Sequence, residues 1–102
     1  GDYELDYWLT SYREAGDYVN QAASPDANIL AWGSGYNGAR DDLTIYSFSS
    51  DDDISATGET FEYAVITTRF FSHQGVLNDA LVVYEVRKRG VLLAVVKKLA
   101  AP

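Results

Sequence analysis

Apolar residues keep a helical period up to Ala23 and a strand-like pattern after it. Tyr12, Ala15, Val19, Ala22 and Ala23 recur at helical spacing and define one apolar stripe. Ser11-Tyr-Arg-Glu14 has capping-box spacing, in which the Ser11 hydroxyl accepts from the Glu14 amide and the Glu14 carboxylate reaches back. Gly16 weakens such a helix by about 1 kcal/mol relative to alanine without breaking it. Ser24-Pro-Asp-Ala-Asn28 ends it, because proline cannot continue the hydrogen-bond ladder and Asp and Asn favour turns. A helix over 11–23 is predicted.

Beyond it, Ile29-Leu-Ala-Trp32 is a short apolar run between Asn28 and Gly33, the pattern of a buried strand. Leu43–Phe48 is rich in β-formers, with Leu43 and Ile45 on one face and Tyr46 and Phe48 on the other. Polar, acidic Ser49–Gly58 predicts a loop with room for a helical turn. Tyr63-Ala-Val-Ile-Thr-Thr68 is a third strand candidate. Residues 70–79 read as a loop whose apolar members, Phe70, Phe71, Val76 and Leu77, fold back on the core.

Leu81–Arg87 and Val91–Leu99 are β-branched runs separated by Lys88-Arg-Gly90, which predicts a hairpin with a Gly-bulge turn. Burial of Val82, Tyr84, Val86, Val91, Leu93 and Val95 is expected. Together these elements predict an α/β fold: one small domain over 1–102, a mixed sheet of about five strands, one main N-terminal helix and a C-terminal hairpin.

Length agrees, since 102 residues form one core, and 47% hydrophobic content argues against disorder. The longest aliphatic runs, Ala80–Val83 and Val91–Val96, are far shorter than the roughly 20 apolar residues of a spanning helix. With no cysteine, neither a disulfide framework nor a thiolate metal site can form. Net charge is −7, and thirteen of the fifteen acids lie at or before Glu62. Arg87, Lys88, Arg89, Lys97 and Lys98 crowd the end, where they read as a solvated hairpin. That acidic balance argues against a nucleic-acid partner.

Candidate chemistry is sparse. Gly33-Ser-Gly-Tyr-Asn-Gly38 matches G-x-G-x-x-G, but only four residues separate it from Leu43, too few for the helix whose amides meet a pyrophosphate. A loop at a strand's carboxyl end that binds no nucleotide is the expectation. Asp41-Asp42 and Asp51-Asp52-Asp53 lack the turn glycine and bidentate Glu of a calcium loop, so no metal is expected. His73, the single histidine, has only Ser72 beside it and no nucleophile elbow. No catalytic residue and no cofactor are predicted.

Tyr3–Ala15 interleaves Tyr3, Tyr7 and Trp8 with Glu4 and Asp6, an aromatic-acidic pattern ordinary just outside a membrane. This stretch and Val82–Lys98, with a looser match at Glu62–Ile66, resemble the C-terminal soluble domain of bacterial polytopic GT-C mannosyltransferases, the polyprenyl-phosphate-mannose protein O-mannosyltransferase-like family. Gly33–Gly58 departs from that pattern, and none of the matching stretches is a catalytic signature.

The resemblance implies a non-catalytic extracytoplasmic domain of a membrane glycosyltransferase, with residues 1–10 a membrane-proximal lead-in and Gly1 a boundary within a longer protein. Its partners would be the membrane-embedded portion of the same protein and a glycan or protein acceptor. Trp8, Trp32, Gly35 and Tyr36 are the candidate contacts. The alternative is a free-standing secreted carbohydrate- or protein-binding module, in which Trp8, Trp32 and Tyr36 stack on sugar rings. For Trp32, core packing at a strand end is favoured.

Overall fold

A computed structural model describes residues 2–33, 38–67, 77 and 80–99. Seven elements run in the order α1 (Asp2–Ala22), β1 (Asn28–Trp32), β2 (Thr44–Phe48), α2 (Asp51–Thr57), β3 (Tyr63–Thr67), β4 (Leu81–Lys88) and β5 (Val91–Lys98). They form the α/β domain that the periodicity predicts, with a five-stranded mixed sheet ordered β2-β1-β3-β5-β4. β1 lies between β2 and β3 and is parallel to both, with Ile29 opposite Ile45 on one side and Tyr63 on the other. β5 runs antiparallel to β3, Val65 facing Val96, and β4 closes the hairpin outside it.

The inner strands are apolar without alternation because both of their faces are covered. Ile29, Tyr63, Val65, Ala94 and Val96 turn towards α1, which adds Tyr12, Ala15 and Val19. Leu30, Ala64, Ile66 and Val95 turn the other way and meet Phe48, Phe61 and partly buried Ile54, Leu77 and Leu92. Leu43 and Ile45 pack on the α1 side and Tyr46 and Phe48 on the α2 side, as their alternation predicts.

Three local readings change. α1 begins at Asp2, so Ser11 is an interior helical residue and not a cap. Ser11, Ala15 and Val19 stand at successive i+4 positions and are fully buried, so Ser11's small size suits close approach to the sheet. Ser49–Gly58 contains a true helix, α2. Ser50 caps it by accepting from the Asp53 amide, and Gly58 ends it at φ 69°, a left-handed conformation. The hairpin turn is two residues long. Arg89 and Gly90 both have positive φ, 53° and 81°, which is the type I′ pattern whose twist matches the flanking strands.

Irregularities lie elsewhere in the hairpin, between Val82 and Tyr84 and between Val86 and Arg87. Each shifts the alternation, so a strict period of two fails. Val86, Leu93 and Val95 are buried as expected and Tyr84 is half-buried, whereas Val82 is 41% exposed and Val91 55%. Of the residues expected to fold back from the loop after β3, Leu77 packs on the core, while Phe70, Phe71 and Val76 lie outside the described residues.

Candidate functional site

At the carboxyl ends of β1 and β2 the chain leaves for opposite faces. Gly38 and Arg40 are tied to Asn20 of α1, whereas α2 lies over Phe48 on the other side. Such a divergence is where open α/β sheets place ligands. Here the Trp32 ring stands edge-on to Phe48, with centroids 5.4 Å apart, inside the α2-side core. Its packing is that of a strand end closing a core. The Tyr12 hydroxyl donates to the Trp32 carbonyl at 2.9 Å and lies 3.2 Å from that of Val65, closing the β1–β3 ladder.

Ser49 donates from both its amide and its hydroxyl to Asp53, at 2.8 and 2.9 Å. These bonds, then those from Ser50, hold the Asp53 carboxyl below the ordinary carboxylate range. Of the other candidate contacts, Trp8 lies in the helical backbone of α1. Gly35, Tyr36, Ser72 and His73 lie outside the described residues. Residues 38–43, which would have to open a phosphate-binding helix, are non-helical, and β2 follows at once.

α1 has no basic residue in its last turn, and its cation comes from a distance. Arg40 donates to the carbonyl of Asn20 (2.8 Å), which the helix end leaves without an intrahelical partner, and to that of Ser24 (3.0 Å) in the turn that follows. The same guanidinium grips both carboxylate oxygens of Asp42. That hydrogen-bonded pairing, and next the Asp26 amide, hold the Asp42 carboxyl far below its ordinary range. Asn20 completes the clasp, accepting from the Arg40 amide and donating to the Gly38 carbonyl. The lone Arg in an Arg-Asp-Asp run was the sequence signal for this cap, and nothing in the run says which helix it serves.

On the α2 side, Lys97 is buried, and its ammonium donates to the Leu77 carbonyl at 3.1 Å. Burial pushes its proton affinity down, with Asp51 opposing. Asp51 also accepts from the Leu77 amide, so one backbone unit is pinned from both sides.

Opposite the carboxyl ends, a cavity of about 320 Å³ opens at the amino ends of β1 and β3. Asp26, Asn28, Phe61, Glu62, Lys98 and Leu99 line it. The Glu62 carboxylate is engaged by the Ser24 amide and hydroxyl, both at 2.7 Å. Asn28 donates its amide to the Thr60 carbonyl. The Lys98 ammonium stands 5.8 Å above the Tyr63 ring, in cation–π range. Nothing in the periodicity signalled this cavity, because its walls come from three separate segments.

Among the described residues no group of three or more His, Asp or Glu side chains could hold a metal ion, and no helix is long and apolar enough to cross a membrane. No protein-family model, curated protein or solved structure matches this chain.

Proposed function

We propose that this chain is a non-catalytic extracytoplasmic domain of a membrane glycosyltransferase that takes mannose or a related sugar from a polyprenyl-phosphate carrier. In this role it faces the membrane-embedded portion of its own protein and shapes access of the acceptor. One observation carries the reading. The two stretches that resemble the family, Tyr3–Ala15 and Val82–Lys98, lie far apart in sequence but pack together as one unit. Glu14 of α1 pairs with Lys88 of β4 at 3.2 Å. Just past the first stretch, Tyr18 stacks on Tyr84 with centroids 4.6 Å apart and planes 10° from parallel. The two stretches thus share one surface, α1 against the hairpin, and this supports the reading.

The organised carboxylates support the non-catalytic part. Asp42 holds the α1 cap, Asp53 the start of α2, Glu62 the turn after α1, and Asp51 the Leu77 backbone. Each of these acids serves the architecture. α1 also continues for ten residues amino-terminal to Tyr12, about 15 Å of helix.

The reading is tested in the full-length protein. Removing this segment should leave mannose transfer to a short peptide and reduce transfer to a folded acceptor, while the segment alone transfers nothing. Turnover by the segment alone, or an upstream region without hydrophobic spans, overturns it.

A further inference from the structure

The cavity at the amino ends of β1 and β3 has a lining chemistry that selects its ligand. Its charged members are Asp26, Glu62 and Lys98, a net charge of −1 that disfavours phosphate and other anions. Asp26 sits in the turn after α1 at φ 60°, its amide tied to Asp42, and its carboxylate makes no hydrogen bond or ion pair among the described residues. The Lys98 ammonium, at the end of β5, stands over the Tyr63 ring and makes no ion pair with either acid among the described residues. With its amide given to Thr60, Asn28 keeps its carbonyl oxygen as an acceptor. Two acceptors and one donor thus stand around Phe61 and Leu99 with hydrogen-bonding capacity unused among the described residues.

From these groups we infer that the cavity is a binding site for a neutral sugar. A pyranose carries hydroxyls that are both donors and acceptors around an apolar C–H face. Hydroxyls can donate to Asp26 and Asn28 and accept from Lys98, while the C–H face lies on the half-buried Leu99, beside the buried Phe61. The volume falls at the lower end of the range for small-molecule sites, suited to one or two sugar rings. The choice of mannose among neutral polyols rests on the function proposed above; the cavity and its unused groups do not. The site lies at the opposite end of the sheet from Trp32, so an acceptor glycan would meet the domain at the turn after α1.

Titration of the 102-residue chain with methyl α-mannopyranoside, followed by ¹⁵N NMR, tests this. Saturable shifts are expected at residues 26–28, 60–62 and 98–99, with little change between low and high salt. Asp26→Asn keeps a residue tolerant of positive φ, and Lys98→Met keeps the stem. Each should weaken binding about tenfold, the loss of one charge-assisted hydrogen bond, at an unchanged thermal midpoint. No shifts, shifts confined to the carboxyl ends of the strands, or binding unaffected by both variants would overturn the inference. So would saturable binding of putrescine that salt abolishes, since the cavity would then be a cation site. Mannoside binding by a chain whose upstream region lacks membrane spans keeps the site and removes the function proposed above. Spans without mannoside binding do the reverse.

Discussion

On one face of the sheet a single 21-residue helix lays Ser11, Ala15 and Val19 against the strands. On the other, Ile54 of a seven-residue helix and Leu77, both partly buried, join Phe48 and Phe61 over Leu30, Ile66 and Val95. Both faces exclude water, by different means. The α1 face relies on continuous apolar area, and its ion pairs lie at the helix margins. The α2 face is held by separate polar pins: Ser50 on the Asp53 amide, Asp51 on Leu77, and buried Lys97 on the Leu77 carbonyl. Few buried contacts and exposed hydrogen bonds mark regions that open locally, so the α2 cover should open before the α1 face.

The harshest way to break the comparison is to bury a charge on each side. Val95 is on the α2 side and its neighbour Val96 on the α1 side, and both are almost fully buried. Val95→Asp and Val96→Asp should each cost on the order of several kcal/mol, out of a total stability of about 5–15 kcal/mol. Denaturant midpoints measure both. If Val96→Asp unfolds early and Val95→Asp matches the parent, the α2 side is not core.

That pair also shows what was legible in the sequence. Strands β1, β2 and β3 announce themselves as short β-rich runs between turn residues, and the faces of Leu43–Phe48 follow from simple alternation. Ser11 misleads because a small residue serves equally as a cap and as a close contact with a sheet, and only the helical backbone before it distinguishes the two. α2 carries its signals openly, Ser50 before the acids and Gly58 after Thr57. Asp, Ser and Thr are weak helix formers, so those signals are outweighed by composition. The hairpin irregularities leave no trace in a run of valines, which is why Val82 and Val91 read as buried. The amino-end cavity was illegible for a different reason: Asp26, Phe61 and Lys98 converge only through the pairing order of the sheet.

A milder perturbation separates the two helix ends. α1 is capped from 20 residues away by Arg40, and α2 locally by Ser50. Asp42's folded proton affinity lies below its unfolded value, so its stabilisation is complete above the ordinary carboxylate range. It is lost as pH falls from there. Arg40→Met removes the largest cause of that depression. The variant should melt earlier than the parent at neutral pH, and the gap should narrow on acidification below about pH 4. A gap that stays constant down to acid pH would show that Arg40 acts through the Asn20 and Ser24 carbonyls alone.

Smallest of all should be the loss of the local cap. Ser50→Ala removes the acceptor for the Asp53 amide, worth about 1 kcal/mol to a helix. α2 buries no residue, so that loss should fall on opening α2 alone and leave the sheet folded. Amide exchange within Asp51–Thr57 should quicken about fivefold, the equivalent of that energy, while the thermal midpoint stays with the parent. Ile54 and the Asp51–Leu77 bond are the links that could spread the effect. If Ser50→Ala instead lowers the midpoint as far as Arg40→Met does, α2 folds as one unit with the sheet. The contrast between a face built on area and a face built on pins would then fail.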